Sequence, residues 1–287
     1  PSERATPKPI RPTNTTMPAQ VTAANLKVFL GLQQGGNETT AETTFLGLAT
    51  EGKANARSAI YSSGLYDGIL LTVASFALLV VLELASLDSV RGVFRQAGGR
   101  ALYATAVLYN VINLFAIGPL TYAFAVQFLC VPPKSAMGSA VAFGGLVATH
   151  ALGYYIAHFA MHTKPLYWAH RFHHRFNSHV VPMAANAVTF TEYGIAYMLP
   201  FIAGCTVFRP DGRALFAAVA LISLNNILIH TPGLEALSRR VLPWWAVSTS
   251  DHIDHHRRLT TNYAAPTVSI DKLLAAALGS APKTKGA

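Results

Sequence analysis

Histidine is the residue whose spacing in this chain points to chemistry. The sequence has 11 histidines, and none of them precedes residue 150. Three clusters follow: HxxxH at 158–162, HxxHH at 170–174, and a second HxxHH at 252–256. Residues three and four apart share one face of an α-helix, so each cluster can direct two or three imidazoles toward one point. This repetition favours a set of metal ligands over a solvated helix face.

The number of imidazoles suggests more than one metal ion. A single zinc ion takes four ligands, whereas the three clusters offer about eight nitrogen donors with almost no carboxylate nearby. We therefore expect two metal ions, each with a nitrogen-rich shell. Iron, copper, nickel and zinc all accept imidazole, so the ligand type alone leaves the metal open.

Further polar residues accompany the clusters. Asn226 and His230 lie four residues apart at the end of an uncharged run, where polar residues are rare without a function. His230 is a candidate additional ligand, and Asn226 is a candidate water-mediated ligand. Three carboxylates are candidates to accept a hydrogen bond from a ligand's distal N–H: Asp251, Asp254 and Glu192. For His150 and His179, a role in the core or at the membrane interface is favoured.

The segments that must position these clusters are apolar. Only 12% of the residues are charged, against about 25% in ordinary globular proteins. The runs 65–87, 101–130 and 135–157 are each long enough for a membrane span. The runs 184–208 and 214–230 form a hairpin that either spans or dips in and returns. The sequence thus predicts an all-α integral membrane bundle of four to five membrane helices.

Charge gives the bundle an orientation. Arg91, Arg95 and Arg100 lie between the first two runs, whereas only Lys134 lies between the second and third. The positive-inside rule then places the first loop, and with it a histidine-rich cap, on the cytosolic face. The net charge of +9 would also suit a nucleic-acid partner, but the low charge density favours basic membrane flanks, so no nucleic acid is expected.

Composition divides the chain into two parts. Residues 1–60 are rich in Thr, Pro, Ala, Asn and Gly, which predicts a flexible N-terminal tail. Residues 61–280 form the predicted membrane-embedded catalytic domain. Cys130 and Cys205 lie in apolar stretches and provide neither a disulfide framework nor a CxxC metal site.

The order of the clusters resembles the fatty acid hydroxylase/sterol desaturase superfamily over about residues 65–275. That order is HxxxH, HxxHH, a lone His and HxxHH on a chain of four to five spans. After the last cluster, Thr261-Asn262-Tyr263 and Asp271-Lys272 resemble the NYG…DK ending of sterol C5-desaturases and their relatives. Ala264 stands where those relatives carry glycine.

The resemblance implies a membrane-bound histidine-box di-iron oxygenase, multi-pass in the endoplasmic reticulum, with its site facing the cytosol. Such enzymes use O2 to hydroxylate or desaturate an unactivated C–H bond of a sterol, fatty acyl chain, sphingolipid or hydrophobic secondary metabolite. Cytochrome b5 or an NAD(P)H-dependent reductase would be a separate electron donor. Carried over to this sequence, the two iron ions would be bound by His158, His162, His170, His173, His174, His230, His252, His255 and His256.

Two alternatives remain open on the sequence. A histidine-lined transporter of divalent metals would spread its ligands across the depth of the bilayer, whereas here they fall at span ends and in loops. A non-catalytic, lipid-binding relative would be expected to have lost histidines from its clusters.

Overall fold

The computed structural model describes residues 64–279 and two residue pairs before them. Those pairs form a short antiparallel ladder of β1 (Glu42–Thr43) and β2 (Ala49–Thr50). The rest of the predicted tail, residues 1–60, lies outside the described residues. Within residues 64–279 every regular element is helical, which confirms the all-α class.

Four helical stretches are long and apolar enough to cross a membrane, which confirms a bundle of four to five membrane helices. They are α1 (Leu65–Ala85), the continuous stretch Gly99–Phe128, α5 (Ala136–Met161) and α9 (Gly212–Ile229). The second stretch consists of α3 (Gly99–Ile112), a π-helical turn (Asn113–Ile117) and α4 (Gly118–Phe128). The short α2 (Leu87–Arg95) connects it to α1.

A fifth rod completes the hairpin that the sequence predicts. It runs through α7 (Phe190–Glu192), a π-helical turn (Tyr193–Met198) and α8 (Leu199–Phe208). It packs on α5, where glycines allow close approach: a Cβ at Gly153 would lie 2.6 Å from the Cβ of Pro200, and Gly145 faces the ring of Phe208.

One end of the bundle is closed by Asp211. Its carboxylate caps α9 by accepting the N–H of Ala214 at 2.9 Å, and it accepts the N–H of Lys134 at 3.0 Å. The adjacent Pro210 carbonyl accepts the N–H of Val131 at 3.0 Å. The loops before α5 and before α9 therefore meet at the same end.

The histidine-bearing segments and the short elements next to them gather at the opposite end. They include α6 (Tyr167–His170), two 3-10 turns (His173–Phe176, Pro182–Asn186), a third 3-10 turn (Pro232–Leu234), α10 (Glu235–Val241), α11 (Thr249–Arg258) and α12 (Ile270–Ala277). Glu83 at the end of α1 accepts the N–H of Met183 at 2.7 Å. The loop after α1 and the histidine clusters thus share one end, as the charge pattern predicts.

Asparagines from the second span hold the buried loop between α5 and the fifth rod. Asn110 donates to the Met183 carbonyl at 2.8 Å, and Asn113 donates to the carbonyls of Asn186 and Val188 at 3.2 and 3.0 Å. A buried loop needs such partners because its main-chain polar groups have no water to bond.

Candidate metal centre

The structure brings the predicted histidines together in two adjoining groups. In each group one ring nitrogen from every histidine lies within 4.8 Å of those of the other members. The first histidine group consists of His158, His162, His170, His174 and His255. The second histidine group consists of His173, His230, His252 and His256. All nine histidines of the predicted ligand set belong to one or the other.

Local helix geometry explains this convergence. His158 and His162 lie one turn apart at the end of α5, and His230 directly follows α9. The helix α11, which carries His252, His255 and His256, begins with a capping box, in which Ser248 and Asp251 satisfy each other's main-chain N–H groups. Eight of the nine rings are buried, and only His162 is partly exposed.

Main-chain carbonyls fix the protonation of several rings. A carbonyl oxygen only accepts, so an imidazole Nδ1 bonded to one must carry the proton, which leaves a lone pair on Nε2. Three rings make this contact, each at 2.7 Å: His158 to the oxygen of Tyr263, His230 to that of Asn226, and His255 to that of Thr261.

Side-chain acceptors hold three further rings. The Nδ1–H of His170 donates to Oε1 of Glu192 at 2.6 Å. Asn177 serves two rings at once, because its amide oxygen accepts from Nδ1 of His174 at 2.9 Å and from Nδ1 of His256 at 3.2 Å. These two rings belong to different histidine groups, so Asn177 joins the groups.

The donor set fits a cation. Nε2 of His158 and Nε2 of His170 lie 2.8 Å apart, although both rings carry their proton on Nδ1. Two lone pairs repel at this distance unless a positive charge lies between them. Nε2 of His255, in the same group, is buried without a hydrogen-bond partner. Both observations suit a metal ion in the first histidine group.

Glu192 adds a second argument for positive charge. Its carboxylate is 1% exposed, and Oε2 has no hydrogen-bond partner. An ionised carboxylate in such surroundings is costly unless a cation lies nearby. A metal ion held by His170 would supply that charge through the imidazole.

Burial keeps the rings in the form that binds metal. It lowers the pKa of His170, His173 and His252 well below the usual histidine value, with the neighbouring histidines adding to the effect. Burial, and next the charge of His255, lowers the pKa of His174 to about 3. These imidazoles are therefore neutral at pH 7, as metal coordination requires.

The other predicted site residues have different surroundings. Asn226 holds His230 through its main-chain oxygen, while its amide donates to the Ala185 carbonyl at 2.9 Å and to Oδ1 of Asn186 at 3.1 Å. Its role toward a metal-bound water stays a prediction.

The two aspartates of α11 bond to groups other than imidazoles. Asp251 accepts from Ser248 at 2.7 Å and from Lys272 at 2.6 Å, and Asp254 pairs with Arg258 at 2.9 Å. Their predicted contact with a ligand's distal N–H stays a prediction as well.

The two histidines outside the predicted ligand set differ from each other. His179 is partly exposed, with Nδ1 3.4 Å from the side-chain amide of Gln96. His150 is buried in α5 and lines a cavity inside the bundle.

Sequence reasoning missed the partners that orient the rings. Asn177 follows His174 by three residues, a spacing that could have indicated a contact. The carbonyls of Thr261 and Tyr263 left no such signal, because every residue type has a main-chain oxygen.

Residues 141–276 match the model of the fatty acid hydroxylase family. The match contains all nine histidines and confirms the resemblance to the fatty acid hydroxylase/sterol desaturase superfamily. No curated protein and no solved structure matches the chain.

Proposed function

We propose that this chain is a membrane-bound, O2-dependent di-iron oxidoreductase of the fatty acid hydroxylase family, whose model matches residues 141–276. The reaction would be hydroxylation or desaturation of an unactivated C–H bond in a lipid-like molecule: a sterol, fatty acyl chain, sphingolipid or hydrophobic secondary metabolite. The observation that carries the proposal is the convergence of nine histidines in two groups at one end of an apolar bundle.

In this proposal each histidine group holds one iron ion. The first group would use His158, His162, His170, His174 and His255, and the second would use His173, His230, His252 and His256. Bound iron would supply the activation of O2 and the removal of hydrogen from carbon, which no side chain here can perform.

The protein's own contribution is orientation and the exclusion of water. Three main-chain carbonyls fix which ring nitrogen would face the metal: that of Tyr263 for His158, that of Asn226 for His230 and that of Thr261 for His255. Glu192 does the same for His170 and raises its basicity as a ligand. Burial of eight of the nine rings keeps bulk water away from the reacting atoms.

Electrons would come from a separate cytochrome b5 or an NAD(P)H-dependent reductase. Exposed basic residues surround the histidine end and would attract an acidic donor: Arg171, Arg175, Arg257 and Arg258. This arrangement suits a cytosol-facing site, the orientation that the positive first loop predicts. The resemblance to the superfamily implies the endoplasmic reticulum as the membrane.

Iron content and product mass test the proposal together. The purified chain should bind two irons, and His173→Ala should lose activity, whereas His179→Ala should keep it. In a host with a suitable reductase, lipid mass spectrometry should show addition of one oxygen atom or loss of two hydrogens.

Transport of a divalent metal by liposomes without oxygen consumption would contradict the proposal. The geometry already favours the enzyme, because all nine clustered histidines lie at one end of the described bundle. A transport path would need ligands through the bilayer depth.

A further inference from the structure

A cavity lies inside the bundle next to the second histidine group. Its volume of about 30 Å³ has room for a water-sized group such as a hydroxyl. Its walls come from the second span, α5, the fifth rod and α9. Asn226 borders it, and His230 of the second histidine group follows one helical turn later. The cavity therefore lies about one helical turn from the second histidine group, toward the middle of the bundle.

Two polar side chains in the cavity wall have unmet hydrogen-bonding capacity. Nδ1 of His150 and the hydroxyl of Tyr197 are both buried without a hydrogen-bond partner, and the residues are 2% and 4% exposed. Both line the cavity, and their ring centroids lie 6.3 Å apart. Leaving such groups unpaired is costly, and polar residues at membrane depth are rare without a function.

We propose that His150 and Tyr197 bind an oxygen atom of the substrate, either a hydroxyl or a carbonyl, deep in the bundle. The inference rests on the proposed oxygenase function and narrows its substrate class. A neutral imidazole offers one hydrogen-bond donor and one acceptor, and a phenol hydroxyl can donate or accept. The pair can therefore bind a hydroxyl or a carbonyl oxygen. The substrate would then be a lipid that carries a polar group away from the reacting carbon.

The helix that carries His150 also sets the distance. His150 precedes His158 by eight residues on α5, which corresponds to about 12 Å along the helix axis. The bound oxygen and the reacting carbon should be separated by a distance of this order. A plain acyl chain would place only methylene or methyl groups here, leaving both polar side chains unpaired. Sites built for a hydrogen bond reject ligands that lack the partner.

Matched lipid pairs test this inference by binding alone. Three pairs serve as probes: a sterol with its sterane hydrocarbon, an isoprenoid alcohol with its deoxy hydrocarbon, and an ω-hydroxy fatty acid with the unsubstituted acid. Binding is measured by native mass spectrometry on the full, iron-loaded chain under nitrogen, where no turnover occurs. We expect at least one oxygenated probe to bind roughly tenfold more tightly than its partner, the worth of one buried hydrogen bond.

Variants assign the discrimination to its residues. His150→Leu should abolish the difference in affinity between the oxygenated probe and its hydrocarbon or unsubstituted partner, while the chain retains both irons. Tyr197→Phe should reduce this difference in affinity. His179→Leu makes the same change outside the cavity and should preserve the difference. If His150→Leu fails to retain iron, His150→Gln replaces it, because glutamine keeps a donor and an acceptor. His150→Gln should preserve part of the difference in affinity between the two probes, whereas Tyr197→Phe should reduce that difference.

Two results would overturn the inference. One is that no oxygenated probe binds more than threefold better than its partner. The other is that His150→Leu leaves the discrimination intact, which would mean that water or packing satisfies the ring. Failure of the proposed function would look different: the preferred probe would bind selectively under nitrogen but give no oxidised product with O2 and a reductase.

Discussion

Each ring of the first histidine group is useful as a ligand only if its proton stays on the distal nitrogen. Main-chain oxygens ensure this for His158 and His255, and they cannot lose the capacity to accept. His170 depends instead on a carboxylate, Glu192, which is itself buried. A substitution of Glu192 should therefore weaken metal binding by the first histidine group without removing any of its histidines.

We predict that Glu192→Gln weakens iron retention at one of the two sites by roughly 10- to 100-fold, the usual effect of removing such a partner. The amide would present a neutral acceptor to His170 and leave the iron's charge without its buried counter-ion. The measurement is iron content after titration with a chelator. Glu235→Gln, at a surface ion pair with Arg239, is the control and should retain iron like the native chain. Equal retention in both variants would contradict the prediction.

At the scale of elements, the contact of α5 with the fifth rod decides where the histidines end up. The positions of glycines along α5 did not lead us to predict which helix packs against them. The structure places Gly153 against Pro200 of the fifth rod. Gly144 lies on the same helix with nothing within 4 Å of the position of a Cβ. These two glycines allow a matched comparison.

Gly153→Ala should destabilise the chain by about 1–3 kcal/mol, because the added methyl forces α5 and the fifth rod apart. Gly144→Ala should be neutral or stabilising, since alanine is the better helix former by about 1 kcal/mol. Thermal unfolding of both variants in the same detergent checks this. A Gly144→Ala variant that is less stable than Gly153→Ala would show that the contact is not tight.

The opposite end of the bundle should respond to acid through Asp211. Burial opposes ionisation there, but hydrogen bonds from Ser139 and from main-chain N–H groups outweigh it and hold the pKa of Asp211 below the usual 3.8. A lowered folded pKa means that the stabilisation is present above pH 3.8 and is lost as the pH falls through the folded pKa.

Asp211→Asn should therefore unfold at a lower temperature than the native chain at pH 6, and the gap should shrink as the pH falls below about 4. Melting temperatures of both proteins across this range provide the measurement. A gap that stays constant down to pH 3 would show that the carboxylate contributes no pH-dependent stability.

At the scale of the whole molecule, sequence reasoning reached the helical class, the spans and the gathering of the histidines at one end. These follow from hydropathy, charge and helical periodicity, which are local properties. The interruption of the hairpin by a π-helical turn at Tyr193–Met198, and the cavity beside it, could not be predicted, because they depend on how distant segments pack. For the same reason the sequence predicts a core or interface role for His150 and does not indicate that it lines a cavity.

Accessibility at the two ends tests the proposed orientation. Ser178 is exposed at the histidine end, and Ala136 is exposed at the other. In sealed microsomes, Ser178→Cys should react with a membrane-impermeant maleimide from the cytosolic side, whereas Ala136→Cys should react only after permeabilisation. The reverse labelling would invert the proposed topology and place the metal centre in the lumen.

The shared amide of Asn177 should make metal binding in one histidine group depend on metal binding in the other. Its oxygen accepts hydrogen bonds from His174 in one group and His256 in the other, so fixing the position of either ring also fixes the amide for the other ring. Filling one site should then raise the affinity of the other, and linkage makes this effect reciprocal. When iron is scarce, the population should divide between chains with two ions and chains with none, with half-filled chains rare. A centre that needs both ions for its chemistry would thereby avoid holding one ion idle.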